Sequence, residues 1–430
     1  MMKTITIDHL ARVEGHGGIT VNFDGNSIRD VQFDIFEGAR LIEALVVGRS
    51  FQDVPQIVSR ICAICSVAHS LCAIKAIENA FEVTVTPQTE KLRDLLYRGE
   101  NIESHALHIF LLAVPDYLDH PSALSLASEK PEAVKLGLRL KKLGNTIQEM
   151  IGGRAIHPVN VVLGGFGKTP TFEQLFSLRQ ELQQGIRDCE AMVDLLATLP
   201  ATNFCHIPTL FAALDGGGDY GYYRGDQISI SDGNRILVSE YHRLTNEKAV
   251  PHSHAKHSSY NGKPFMVGAL ARAALFGEKL SEKARSAQQK LGLTLPSDNP
   301  MDNNKAQAVE LVHDVEHALH LVDRLLKEKI KPEKPVSVNP KSGTGSAATE
   351  APRGILFHSY TFDDAGRVTA ADVITPTAQN LNCAEYHFRA AVEQNPEKDV
   401  SELRKILEMI ARAYDPCISC SVHILQRKRP

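Results

Sequence analysis

The sequence predicts a mainly α-helical protein with a small N-terminal antiparallel β-sheet, its N- and C-termini meeting at one site. Three observations predict it. Apolar residues recur with the helical period over most of the chain, whereas strict alternation of apolar and polar residues is confined to three short runs near the start. Cys62 and Cys65 form a Cys-x-x-Cys pair near one end, and Cys417 and Cys420 form another at the opposite end of 430 residues. Two such pairs imply that the termini meet around something that thiolates ligate.

The elements follow in chain order. Residues 4–7, 19–23 and 31–35 alternate as strands do, and Asp24-Gly25 marks the turn between the second and third. Between the first two lies Leu10-Ala11-Arg12-Val13-Glu14-Gly15-His16-Gly17-Gly18, a loop whose Arg, Glu and His suit function rather than mere connection. From about residue 37 to residue 81 the period is helical, with the first cysteine pair between two helical stretches. Thr86-Pro87 opens a long helix with Leu92, Leu95, Leu96 and Ile102 on one face, running through His105 and His108 to Pro115-Asp116. Those two histidines share a face and read as packing or interface groups. Further helices are expected over residues 132–151, 171–198, 267–291, 304–329 and 401–413. Residues 331–351, rich in Pro, Gly, Ser and Thr, read as a linker or long surface loop. His252-Ser253-His254-Ala255-Lys256-His257 fits no standard metal spacing and reads as a solvated loop.

Composition narrows the class. The chain is 43% hydrophobic and 23% charged, as globular domains are, and a net charge of −4 without a basic block argues against nucleic acid as a partner. No apolar run reaches membrane-spanning length, and the first residues lack the apolar core of a signal peptide, so a cytoplasmic location and no membrane partner are expected. Of eight cysteines, Cys72, Cys189, Cys205 and Cys383 stand singly and read as small buried hydrophobes. Paired thiols in a reducing compartment are metal ligands or redox groups. Zinc ribbons place their pairs roughly 15–20 residues apart, unlike these, and a thioredoxin-like centre needs only one pair in a βαβ setting. Spacing therefore favours a four-thiolate site assembled from both termini, without naming the metal.

The two pairs resemble the signatures of the nickel–iron hydrogenase large subunit: Arg60-Ile61-Cys62-Ala63-Ile64-Cys65 with His69, and Asp415-Pro416-Cys417-Ile418-Ser419-Cys420-Ser421-Val422-His423. Arg12-Val13-Glu14-Gly15-His16, Gly152-Gly153-Arg154-Ala155-Ile156-His157-Pro158, Glu350-Ala351-Pro352-Arg353-Gly354 and Ile374-Thr375-Pro376-Thr377 are similar to further blocks of that family, in the same order. Ala63 departs from the glycine common there, a change of one methyl. Ser104-His105-Ala106-Leu107-His108, Ala255-Lys256-His257-Ser258 and Pro264-Phe265-Met266-Val267-Gly268-Ala269 resemble the cytosolic bidirectional, NAD(P)-linked hydrogenase and sulfhydrogenase subgroup.

The resemblance implies a reaction and its parts. Residues 1–423 would be a single intertwined large-subunit domain with the family's fold, and 424–430 a C-terminal peptide removed on maturation. Cys62 and Cys417 would bind nickel terminally, with Cys65 and Cys420 bridging to an iron that carries carbon monoxide and cyanide. Pro352, Arg353, Pro376 and Thr377 would line the pocket for those diatomics, and His69 would lie beside a bridging thiolate. Cys417 and then Glu14 would take the proton when H2 splits. Asp116 and Asp415 would orient Arg353, which as a guanidinium stays charged. Glu43 and His423 would hold Mg2+. No further cysteine cluster could carry an iron–sulfur chain, and no Gly-x-Gly-x-x-Gly nucleotide loop is present. Electrons would therefore leave through an iron–sulfur small subunit and flavin and iron–sulfur diaphorase subunits, while a maturation protease and nickel-insertion proteins would build the centre. The alternatives are a hydrogen-sensing regulatory subunit and a zinc-stapled scaffold.

Overall fold

Both ends of the chain enter one hydrophobic core. In the computed structural model, which describes residues 4–25, 27–38 and 40–422, one cluster of buried side chains extends from Ile5 and Ile7 to Ile418 and Val422. Strands β1 (Thr4–Ile7), β2 (Gly17–Asp24) and β3 (Ser27–Ile35) form the expected antiparallel sheet in that order. Ile5 faces Val21 and Ile7 faces Ile19, and all four are buried, so the alternation in the sequence sets the register.

The helical body is built on α1 (Ser66–Ala80), α2 (Pro87–Leu107), α3 (Pro131–Gly152), α4 (Phe172–Leu196) and α5 (Asp302–Lys327). The Thr86 hydroxyl caps α2 by accepting from Thr89 N at 3.1 Å, and Pro87 needs no partner in the first turn. This helix does not run evenly to Asp116. A π-helical turn over His108–Ala113 intervenes ahead of Pro115, which has no N–H to continue the ladder, and a short helix, Val114–Tyr117, follows. Helices α2 and α3 touch backbone to backbone: a Cβ on Gly144 would stand 2.5 Å from Gly99 O.

Three segments differ from expectation. The 252–257 segment is no solvated loop but holds β4 (Ser253–His257), whose Ala255, Lys256 and His257 are buried. The helix expected over 267–291 is broken into Ala269–Phe276, a 3-10 turn Gly277–Lys279 and Glu282–Lys290, the last restarting after Ser281 in the N-cap position. Only the first part of 331–351 is irregular. Its end is β5 (Gly343–Ala351), paired antiparallel to β6 (Gly354–Phe362), which pairs with β7 (Val368–Ile374). The small residues that resemble a linker are what close packing requires, since a Cβ on Gly345 would lie 2.0 Å from Ala76 O in α1. A four-stranded mixed sheet over Leu210–Asp215, Gln227–Ile230, Arg235–Leu237 and Phe265–Met266 was not anticipated either.

Two helices deliver the end of the chain. Helix α6 (Pro376–Gln394) follows β7 directly. Helix α7 (Val400–Ala413) opens with a capping box, the Asp399 carboxylate accepting from Glu402 N at 2.9 Å and Glu402 accepting from Asp399 N at 3.0 Å. Its Leu403, Ile406, Leu407 and Ile410 are buried, as their spacing predicts.

Candidate metal centre

Both cysteine pairs sit where backbone turns into helix. Cys62 follows a 3-10 turn, Ser59–Ile61, and Cys65 is the N-cap of α1. Cys417 is the N-cap of a four-residue helix, Ile418–Ser421, that carries Cys420. All four sulfurs are buried and lie within 4.8 Å of one another. Cys62 Sγ is 3.5 Å from Cys417 Sγ, and Cys65 Sγ is 3.8 Å from Cys420 Sγ. Cys417 and Cys420 are joined as a disulfide in the structure, so four-fold ligation requires that pair as thiolates. The hydrogen bond with Cys65, with the Arg353 charge acting against burial, holds the Cys62 thiol below its usual pKa. The same bond and burial push Cys65 well up. Cys72, Cys189, Cys205 and Cys383 are buried and apart from this cluster, as expected.

The N-terminal loop holds the closing segment in place. Glu14 O accepts from Ile418 N at 2.9 Å, and Glu14 bridges Cys417 as parallel strands do. Gly15 has φ of +86°, and a Cβ there would stand 2.8 Å from Ile418 Cβ, so only glycine lets the loop pass. The Glu14 carboxylate accepts from Ser419 N at 3.0 Å and from the Ser419 hydroxyl. On the other side, the Thr377 hydroxyl, at the start of α6, accepts from Cys417 N at 3.0 Å. Pro376 occupies the first turn of that helix.

Arg353 reaches the sulfurs from the tip of the β5–β6 hairpin, where Ala351 faces Gly354 and only Pro352 and Arg353 turn the chain. Its Nε donates to Asp415 O at 2.6 Å and its Nη2 to Asp415 Oδ1 at 2.9 Å. Nη1 is buried without a hydrogen-bond partner among the described residues, and the guanidinium lies within electrostatic reach of Cys62 and Cys65. Asp415 itself has φ of +49°, a strained value for a residue with a side chain.

Asp116 does not share in orienting Arg353. Both its oxygens are taken by Arg12 and Arg412, at 2.6 and 3.0 Å for the latter. Gln307 instead braces Arg353's partner Asp415: Nε2 donates to Asp415 Oδ2 at 3.0 Å, while Oε1 meets His108 Nδ1 at 2.5 Å. His108 Nε2 in turn reaches Arg412 O at 2.7 Å. The hairpin tip is braced from behind by Arg272, which donates to Ala351 O and Pro352 O and pairs with Glu310 and Glu350. Buried Glu100 on α2 caps α1, accepting from Val67 N at 2.7 Å and Ala68 N at 3.0 Å. Gln307, Arg272 and Glu100 escape sequence reasoning; the only signal is a polar residue on the buried face of a helix.

The remaining expected residues are nearby. His69 on α1 meets His358 at 3.0 Å, and His358 meets the Tyr360 hydroxyl at 2.5 Å. Glu43, in a short helix Ile42–Val46, accepts from Val373 N at 3.2 Å, and burial pushes its carboxyl up to about 7. Its expected magnesium partner, His423, and the 424–430 peptide lie outside the described residues.

These residues fit a thiolate-bound metal pair with anionic ligands: four buried soft donors, apolar surroundings, and the orphaned Nη1 of Arg353 left to donate. The profile of the nickel-dependent hydrogenase family matches residues 40–149 and 218–423. The chain belongs to that family. A HoxL-like profile matches residues 4–37 of this hydrogenase. The alpha subunit of sulfhydrogenase 1 from Pyrococcus furiosus is 42% identical over 98% of each chain, and that of sulfhydrogenase 2 is 38% identical over 98% of this chain and 99% of the relative. The beta subunit of the NAD-reducing hydrogenase HoxS from Cupriavidus necator is 30% identical, covering 99% of this hydrogenase and 96% of the relative. A solved NAD+-reducing [NiFe]-hydrogenase in its H2-reduced state superimposes with a TM-score of 0.87 and 27% identity, over 98% of this chain and 99% of that one. The four buried cysteines form a cluster able to hold metal, as a nickel-dependent hydrogenase requires. Among the described residues, no helix is long and apolar enough to cross a membrane.

Proposed function

We propose that this hydrogenase chain is the hydrogen-activating subunit of a bidirectional NAD(P)-linked complex. It splits H2 heterolytically and passes electrons to an iron–sulfur small subunit and on to flavin and iron–sulfur diaphorase subunits. One observation carries the reading: four buried cysteines from opposite ends of the chain converge under an arginine with a free N–H. The names and coverage of the NAD-reducing relatives support the acceptor.

In this reading Cys62, Cys65, Cys417 and Cys420 would hold the nickel–iron pair, and Glu43 with His423 would hold Mg2+. The bound metal pair supplies an open coordination position at which uncharged H2 is polarised. The protein must then take a proton in a dry pocket. Cys417 Sγ is the first acceptor and a Glu14 carboxylate oxygen the next, anchored beside the closing segment by the two hydrogen bonds from Ser419. Arg353 keeps its proton, and its Nη1 would be the donor to an anionic ligand of the bound metal pair. Pro352 and Pro376 keep water out beside it, and Thr377 holds the Cys417 backbone. After nickel insertion a maturation protease cuts between His423 and Ile424.

Hydrogen-dependent reduction of viologen and NAD(P)+ by the purified complex tests the reading. Sustained turnover is expected, whereas a metal-loaded complex with almost none would be a sensor. Glu14→Gln is expected to lower turnover by about 10²–10⁴-fold at unchanged nickel and iron content.

A further inference from the structure

A second cluster of ligand atoms lies outside the cysteine centre. We propose that His252, His257 and Glu385 form a separate site for a divalent first-row transition ion, zinc foremost, which fastens β4 to α6. The ligand atoms of these three residues all lie within 4.8 Å of one another. His252 Nε2 is 2.8 Å and His257 Nε2 is 3.2 Å from Glu385 Oε1. Two ligands each about 2.0–2.1 Å from a zinc ion stand roughly 3.3 Å apart at the tetrahedral angle. The observed spacings therefore need only small side-chain movements.

The backbone brings the two imidazoles to one place. His252 precedes β4 and His257 ends it, five residues apart, a separation that regular alternation would put on opposite faces. The pairing of β4 with Lys248–Val250 is irregular between Ser253 and His257, and the two rings come within 5.4 Å, centroid to centroid. Glu385 meets them from α6.

The hydrogen bonds alone leave this cluster unevenly satisfied. Glu385 Oε1 takes both imidazoles and also Phe33 N of β3 at 2.8 Å, while Oε2 has no donor among the described residues. His257 is buried, and its Nδ1 has no partner. A cation at the Nε2 atoms replaces two crowded contacts with bonds that two neutral imidazoles and a carboxylate are suited to make. Asp34 on β3, which interacts electrostatically with His252 and Glu385, adds a second negative charge facing the site. His252 and Glu385 keep side-chain exposures of 18% and 15%, enough for an ion to enter and for water to complete its shell. The ion would link β4 and α6, and through Phe33 the sheet whose loop carries Glu14.

The test is cobalt and zinc binding to the assembled, nickel-loaded complex after chelator has removed loosely held metal. One equivalent of cobalt(II) per chain is expected, with the visible absorption of a nitrogen and oxygen ligand set and no thiolate-to-cobalt charge transfer. Zinc is expected to displace it and to raise the unfolding temperature. His252→Ala, His257→Ala and Glu385→Gln should each lose both effects; His252 is partly exposed, so its variant serves if a buried one fails to fold. Cobalt binding that survives His252→Ala and Glu385→Gln, a spectrum carrying thiolate charge transfer, or no retained metal would each overturn the proposal.

Discussion

The two halves of the cysteine cluster are held by different means. Cys62 and Cys65 belong to the rigid interior. Thirteen of the fifteen residues of α1 are buried, its first turn is capped by Glu100, and β5 lies so close that glycine is required at position 345. Cys417 and Cys420 ride on a four-residue helix fastened by individual hydrogen bonds from elsewhere: the Glu14 loop, Thr377 and the Arg353–Asp415 pair. Both pairs are buried in one core, but the first is set against a long helix and the second is held on a short one by individual hydrogen bonds.

The largest effects should come from the ligands and should not distinguish the halves. Cys65→Ser and Cys420→Ser are each expected to abolish nickel retention and hydrogen-dependent turnover, read by metal analysis and viologen reduction. Next come the hydrogen bonds at Asp415. Arg353→Lys keeps the charge but loses the planar fork, and it should lower kcat by about 10–100-fold, as loss of a metal-supporting contact does, with little change in KM.

Stability should separate the halves. Glu100→Ala leaves two N–H groups of α1 without an acceptor and should cost about 2–3 kcal/mol of global stability. Thr377→Val removes one acceptor from the segment of the second pair, worth about 1 kcal/mol. It should speed amide exchange around Cys417 while the denaturation midpoint barely moves. Comparable global losses in both would contradict the distinction.

Acid should loosen the side that carries Thr377. Burial raises the Glu385 pKa, but hydrogen bonds from His252 and His257 prevail and hold it down at about 2, against an ordinary 4.5. A carboxyl depressed in the folded state stabilises fully above 4.5, and that contribution is lost as pH falls toward 2. In chelator-treated protein, Glu385→Gln should flatten the fall in stability over that window.

Much of this division was written in the sequence. The two Cys-x-x-Cys pairs, the Arg-x-Glu-Gly loop and the Pro-Arg tip are contiguous motifs, and the structure brings Glu14, Arg353, Thr377 and Asp415 to the same sulfurs. The N-terminal strands and the helices expected over 132–151, 171–198, 304–329 and 401–413 follow from alternation, caps and helical period, whereas α6 was not anticipated. What escaped depends on contacts between distant segments. Gln307 braces Asp415 and Asp116 does not, because Arg12 and Arg412 claim Asp116 first. Small residues at 343–351 look like a linker until α1 is seen against them. His252 and His257 share no motif, and a pairing irregularity brings them together.

The central claim is that the two ends build a nickel–iron centre for hydrogen activation. Infrared spectroscopy of the purified complex, with metal analysis of the same sample, tests it most directly. Absorption from carbon monoxide and cyanide on iron, shifting under H2, with one nickel per copy of this chain is predicted. A metal-loaded sample with zinc at the cysteines and no such absorption would contradict it.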